Sequence, residues 1–451
     1  MATQQTTVNI IDSCRVALPP DSVTESSLRL TFFDVMWLQL PPVQRLFFFK
    51  LPPMTATTSH FQTSLLPHLK FSLSQALHLF YPLSGKLTYP PDSTHHEILT
   101  KPNDSVSLTI AESDSDFFHL SGNHPRPASD LHPLVPHLPP TDPLPAPVLA
   151  LQVTHFPNVG ICIGISLHHV AADGWCSTHF MKSWASIFKA GSVAVTSLPV
   201  YDRTETVKFD SITRNHFLKM EKVKNAREGI GANAREQLER ATFLLTRAQI
   251  EGLKQLVLAS DANAHVSTFV LTCSYVWATL IKARDDGDDG SKMARFLFAV
   301  DVRSRLVPPI PVTYFGNCIG GCFAEAKRGD LRGEGGVVAA AAAIGRAVRG
   351  LEAGEGVMRG AESWLLRVAE LVSEGLVSVA GSPRFRVYET DFGWGKAEKV
   401  EVISIEGTGA ISLAESRREE EGGVEVGLAL SKCELNAFAS LFEEGLKVLA
   451  L

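Results

Sequence analysis

The chain has 451 residues, 45% hydrophobic and 20% charged, which is enough to bury one large core or two. A net charge of −6, with no basic stripe among aromatics, argues against a nucleic-acid or anionic-lipid partner. The seven cysteines are odd in number and scattered, and no second Cys/His pair follows Cys318 and Cys322; they predict free thiols, neither a disulfide frame nor a zinc site.

The N-terminus, MATQQTTVNIIDSCRVALPP, has no basic region leading into an apolar run, and no stretch reaches membrane-spanning length, so the expected setting is the cytosol (cytoplasmic, with no membrane partner). Residues 1–35 read as extended chain running into Leu30-Thr31-Phe32-Phe33-Asp34. Residues 59–80 carry apolar side chains at helical spacing, interrupted at Pro67. Pro82 and Gly85 break the chain before a strand near Lys86–Tyr89. Residues 121–147, rich in Pro, His and Asp, read as a long surface connection. Val148–His155 and Val159–Leu167 read as strands of a hairpin about Phe156-Pro157-Asn158. A helix over Ser177–Lys189 follows, with Ser177 placed to cap it. Residues 191–225 are poorly patterned, and the mixed charges of 218–240 read as a solvated linker or surface helix. Beyond Ala241 the pattern predicts helices over Leu245–Leu258 and Ser267–Lys282, then an acidic turn at Asp285–Gly290 and a strand over Arg295–Val302. Helices over Val337–Val348 and Ala361–Val377, strands over Val400–Ile405 and Val424–Leu430, and a closing helix over Glu434–Ala450 complete it. Strands and helices in mixed order, without a solenoid repeat, predict an α/β fold with a mixed sheet in each half.

His169-Val-Ala-Ala-Asp173-Gly174 ends the second hairpin strand. A histidine there is held rigidly yet can face a cavity, and its near-neutral pKa lets it take a proton from a weak nucleophile. With 15 histidines in the chain, about one His-x-x-x-Asp arises by chance. A plainer reading stays open, with His169 a hydrogen-bonded core residue and Asp173 a turn former that caps the next helix. Asp391-Phe-Gly-Trp-Gly395 is rarer. Glycines around a tryptophan either let the backbone pass close to something or make a tight turn carrying an aromatic plug. Its first three residues spell the magnesium tripeptide of protein kinases, but no glycine-rich loop, strand lysine or His-Arg-Asp loop accompanies it. Asp285–Gly290 cannot head a calcium loop, because position twelve is Phe296 where an acid is needed. No P-loop, dinucleotide fingerprint or metal-ligand cluster is present, so no bound cofactor and no metal are expected.

HHVAADG at 168–174 and DFGWG at 391–395, in this order, resemble the BAHD family of plant acyl-CoA-dependent acyltransferases. The likeness runs nearly end to end, through LTFFD at 30–34, YPLSGKL at 81–87, STFVLTCSYVW at 267–277, DVRSRL at 301–306 and ETDFGWGK at 389–396. HHxxxDG alone also fits chloramphenicol acetyltransferases and peptide-synthetase condensation domains, which share the fold; DFGWG separates the chain from both. Tyr314-Phe315-Gly316-Asn317-Cys318 is similar to the motif of the subgroup that acylates flavonoid, anthocyanin and other phenolic glycosides, often with malonyl-CoA.

The resemblance implies two domains of similar chloramphenicol-acetyltransferase-like topology, over 1–190 and 226–451, joined by a long crossover at 191–225 with a solvent channel between them. It implies transfer of an acyl group, malonyl first, from acyl-CoA to a sugar hydroxyl, with His169 as general base and Asp391 counted with it as catalytic. By the same likeness Asp173 and Gly174 hold the loop with Arg303 as the partner of Asp173. Phe392, Gly393, Trp394 and Gly395 support the channel, with the Trp394 indole a candidate oxyanion donor, and Ser267 and Thr268 contact acyl-CoA. The expected partners are acyl-CoA, as co-substrate, and a phenolic or flavonoid glycoside, acting on a monomer. Two positions depart from the subgroup: Trp175-Cys176 stand where many relatives have lysine and a small polar residue, and Ala397 replaces a proline. A hydroxycinnamoyl-CoA donor, or a catalytically silent binding protein of this fold, are the alternatives.

Overall fold

The computed structural model describes residues 6–91, 93, 95–193, 197–212, 238–284, 287, 290–351, 354–372, 374–418 and 422–449. Most of the acidic turn at 285–290 and of the charged stretch 218–240 lies outside these residues.

A six-stranded mixed sheet has the order Asn9–Ala17, Ser105–Glu112, Leu149–Phe156, Gly160–Leu167, Val43–Lys50 and Lys399–Val402. Its middle is the expected hairpin, with Asn158 at φ 62° in the turn. Every residue of those two strands is buried, which explains their near-continuous apolar runs. One core joins this sheet to helices Leu66–Leu79 and Gly174–Ala190 through Phe47, Phe49, Leu73, Ile163 and Trp184. Pro67 does not break its helix. It sits in the first turn of Leu66–Leu79, just after a wide π turn at Phe61–Leu65, where a missing N–H costs little.

A seven-stranded sheet has the order Ile319–Lys327, Met293–Asp301, Val377–Gly381, Ile411–Glu415, Val424–Ser431, Leu238–Leu245 and Arg126–Pro127. Helices Arg247–Ser260, Thr268–Ala283, Gly336–Arg349 and Lys432–Leu449 share its core. A small sheet of Ser26–Arg29, Glu97–Thr100, Lys86–Thr88 and Ala146–Pro147 completes an α/β fold of two domains with mixed sheets.

The large sheets exchange strands. Lys399–Val402, just after DFGWG, pairs with Val43–Lys50, while Arg126–Pro127 pairs with Leu238–Leu245. Buried charges pin both exchanges. Glu401 meets Arg126 at 2.7 Å and Arg240 at 3.0 Å, and Arg240 reaches Glu406 at 2.6 Å. The solvated reading of 218–240 therefore fails at its end, where Arg240 is buried in a strand because two carboxylates meet it.

Residues 121–147 also differ from a surface connection, since Leu131 and Leu134 are fully buried. Proline-rich backbone cannot pair regularly, so the sheet satisfies it with side chains. Gln152 Nε2 donates to Pro133 O (2.9 Å), Ser166 Oγ to Pro136 O (2.7 Å) and His168 Nε2 to Pro139 O (2.7 Å). Ala361–Val377 divides into a helical turn, helix Trp364–Val372 and a strand from Val377, with Gly375 at φ 81° between the last two.

Candidate active site

Strand Gly160–Leu167 ends two residues before His169, and alternation sends His168 and His169 to opposite sides. His168 is tied to Pro139 and is structural. The half-buried His169 ring places Nδ1 3.0 Å from Asn317 Oδ1. The Asn317 amide can be oriented only one way. Its Nδ2 donates to Asp34 Oδ1 (3.1 Å) and to the carbonyls of His169 (2.8 Å) and Val170 (3.4 Å), so Oδ1 must accept from His169. Nδ1 is therefore the protonated nitrogen, and Nε2 is left as the base. Asp34 is fully buried and also accepts from Thr31 N, Thr31 Oγ1, Asn317 N and Arg203 Nη1, each at 2.9 Å. Trp37 stacks on the imidazole, with ring centroids 3.8 Å apart and 12° between planes. Burial lowers the His169 pKa from its ordinary value; Asp173 and the Asn317 bond oppose this, and Arg45 adds to it.

Asp173 caps helix Gly174–Ala190: its Oδ1 accepts from Cys176 N–H at 3.0 Å. Ser177, the expected cap, lies inside the helix. The other oxygen, Oδ2, is 2.8 Å from Arg303 Nη2 and accepts from Cys318 N–H at 3.1 Å. This carboxylate faces the YFGNC backbone and not the imidazole. Gly174 owes its identity to crowding. A Cβ there would lie 2.6 Å from Phe385 Cε2 and 3.3 Å from Arg45 Nη2.

YFGNC thus clamps the loop from 145 residues further along the chain. Gly316 takes φ 128°, and a Cβ on it would lie 2.6 Å from Arg203 Nη1. The Arg203 guanidinium also meets Tyr314 Oη and stands over its ring, so Arg203 joins the site as well.

DFGWG lies elsewhere. Asp391 Oδ1 accepts from Gly393 N–H (2.7 Å) and Gly395 N–H (2.9 Å), and Oδ2 meets Lys189 Nζ at 2.6 Å. Lys189 is in the last turn of the helix that Asp173 begins, about 22 Å along it at 1.5 Å per residue. Asp391 closes its own turn and pairs with Lys189, and no contact links it to His169 among the described residues. Gly393 and Gly395 supply the positive φ values that the turn needs, 97° and 89°. Phe392 and Trp394 stack on each other and plug into Phe49 and Phe188 of the first domain. The Trp394 ring contacts are with this aromatic plug, and none links it to His169 among the described residues. Ala397 is fully buried in the same core, so its replacement of proline is a packing change. Trp175 is half-buried, edge-on to Phe385 at 6.4 Å.

Ser267 caps helix Thr268–Ala283, its Oγ accepting from Val270 N–H at 3.4 Å, and Thr268 is exposed. No hydrogen bond or ring contact links either residue to His169 among the described residues. Among these residues no group of His, Cys, Asp and Glu could hold a metal, and no helix is long and apolar enough to cross a membrane. Sequence reasoning placed LTFFD and YFGNC as motifs but assigned no role to Asp34 or Asn317; Trp37 and Arg203 left no signal at all.

A family model described as Transferase family matches residues 6–445. The chain belongs to the BAHD acyltransferases. This BAHD chain is 38% identical over 465 residues to phenolic glucoside malonyltransferase 2 of Arabidopsis thaliana, covering 98% of the chain and 99% of that relative. It is 37% identical to the malonyl-coenzyme:anthocyanin 5-O-glucoside-6'''-O-malonyltransferase of Salvia splendens, over 97% and 95% of the two chains. A coumaroyl-CoA:anthocyanidin 3-O-glucoside-6''-O-coumaroyltransferase of Arabidopsis thaliana is 38% identical over 100% of each. In fold, this BAHD chain matches the crystal structure of vinorine synthase with a TM-score of 0.71 at 20% identity, over 96% of both chains. It also matches F. graminearum TRI101 complexed with coenzyme A and deoxynivalenol, at 0.67 and 15% identity, over 91% and 96%.

Proposed function

We propose that the chain transfers an acyl group, malonyl by preference, from its CoA thioester to a sugar hydroxyl of a phenolic or flavonoid glucoside. The observation that carries this reading is His169 with Nδ1 held by Asn317 and no hydrogen bond to Nε2 among the described residues, in a chain so similar to glucoside malonyltransferases. Nε2 takes the hydroxyl proton as the oxygen attacks the thioester carbonyl, a contribution of about 10²–10⁴-fold. The tetrahedral oxyanion collapses, the C–S bond breaks, and the imidazolium returns its proton to the departing CoA sulfur. Transfer is direct, with no acyl-enzyme. Of the thiols beside the site, burial pushes Cys176 up to about 12 and raises Cys318 well above its ordinary value, so neither is a thiolate at neutral pH. Asp173 with Arg303, and the DFGWG turn, hold the scaffold; Ser267 and Thr268 are the proposed CoA contacts. We take the enzyme as a cytoplasmic monomer.

Incubating the protein with a panel of acyl-CoAs and phenolic glucosides tests the reading by mass spectrometry. A malonylated glucoside that disappears with His169→Ala supports it. No transfer from any CoA thioester overturns it and leaves a binding protein. A hydroxycinnamoyl donor is the second reading, favoured by a coumaroyltransferase being as similar to the chain as the malonyltransferases are.

A further inference from the structure

Buried arginines in this fold are paired. Arg126 and Arg240 meet Glu401, and Arg303 meets Asp173. Arg45, on strand Val43–Lys50, is the exception. It is 7% exposed, and its only hydrogen bond among the described residues runs from Nη1 to Thr178 Oγ1 at 3.0 Å. That hydroxyl donates in turn to Gly174 O at 2.7 Å, so Arg45 leans on the first turn of the helix that follows the His169 loop. The Phe385 ring stands 6.0 Å from its Cζ, and no carboxylate among the described residues is paired with it. Burial lowers its pKa to about 10, with Asp173 opposing, so it remains a cation at neutral pH.

Arg45 also borders a crevice between the two large sheets, together with Phe385, Val387, Lys399, Leu413 and Glu425. Lys399 is neutralised there by Glu425 at 3.0 Å, whereas Arg45 has no ion pair among the described residues and hydrogen-bonds there only through Nη1. A mostly buried cation without a carboxylate partner is placed to take the anion from a ligand. Its planar fork fits a carboxylate through two parallel N–H bonds, and the Phe385 ring limits how the fork can turn.

We propose that Arg45 selects the acyl donor by binding the free carboxylate of a dicarboxylic acyl-CoA of the malonyl class. This rests on the malonyl reading of the proposed function and gives it a residue. An uncharged or aromatic acyl group leaves the same guanidinium unpaired, and so is discriminated against by the cost of that vacancy.

The test compares wild type, Arg45→Met and Arg45→Lys with malonyl-CoA, acetyl-CoA and coumaroyl-CoA at saturating glucoside. The ratio of kcat/KM for malonyl-CoA to that for acetyl-CoA is expected to fall about 10²-fold in Arg45→Met, the size of a lost charge-assisted pair, and less in Arg45→Lys. An unchanged ratio in a folded variant overturns the assignment of Arg45 while leaving malonyl transfer intact. A wild type that accepts coumaroyl-CoA and refuses malonyl-CoA overturns the donor reading itself. If Arg45→Met does not fold, Arg45→Lys keeps the charge without the fork, and the same ratio decides.

Discussion

Replacing Asn317 with alanine probes how His169 is held. The amide supplies the acceptor for His169 Nδ1–H and donates to Asp34 and to the carbonyls of His169 and Val170. Truncation removes all of these inside a fully buried site. In stability, unsatisfied buried polar groups cost about 1–3 kcal/mol each, and relaxation recovers part, so a loss of about 2–4 kcal/mol is expected. In rate, an imidazole free to turn and to protonate either nitrogen keeps only part of a general-base effect of about 10²–10⁴-fold. We expect kcat to fall about 10²-fold, equivalent to about 2.7 kcal/mol of barrier at 1.36 per decade. KM for both substrates should hold, since Asn317 sits behind the ring. Steady-state kinetics at a temperature where circular dichroism reports the native fold would measure this, and histidine ¹⁵N NMR would report which nitrogen bears the proton. A folded variant with kcat within threefold of wild type, or a wild-type His169 protonated at Nε2, refutes the reasoning.

Asp391→Ala opens the DFGWG turn and frees Lys189; it should lower Tm while leaving kcat within a few-fold at permissive temperature, and a loss of 10²-fold or more with Tm unchanged would restore Asp391 to the chemistry. The base must be neutral to work, and burial lowers the His169 pKa, so kcat should be full at neutral pH and decline only as pH falls through that lowered value. A pH–rate profile with its acid limb above the ordinary histidine value of about 6.5 contradicts this. Burial alone would raise the Glu401 carboxyl, but Arg240, Lys399 and Arg126 hold it down at about 2. Its contribution is therefore present above the unfolded value of about 4.3 and is lost as pH falls toward 2. Glu401→Gln strands two buried arginines and should cost about 3–5 kcal/mol by urea unfolding at pH 7, with a flatter acid limb; a cost below 1 kcal/mol would show the cluster to be dispensable.

Much of the fold was legible locally. The hairpin of Leu149–Phe156 and Gly160–Leu167, the helix after it and the capped helix at Ser267 follow from apolar period, turn residues and caps, which act within a few residues. Strands Leu238–Leu245 and Ile319–Lys327 were not legible, because charge in one and glycine in the other mask a burial that distant partners create. Pro67 and residues 121–147 misread for the same reason, since a π turn and side-chain donors elsewhere absorb what the prolines cannot satisfy.

By itself the sequence determined the chemistry available: a histidine at a strand end, an aspartate four residues on, and two motifs specific enough to identify the family. Tertiary structure decided how the parts are used. It put Asn317 and Asp34, about 280 residues apart, against one imidazole and so chose its tautomer. It carried Asp391 to the opposite end of a helix from the loop it was expected to serve. It left Arg45 buried with no ion pair among the described residues. Hydrogen-bond direction and charge pairing depend on which groups meet in space, and spacing along the chain does not report that.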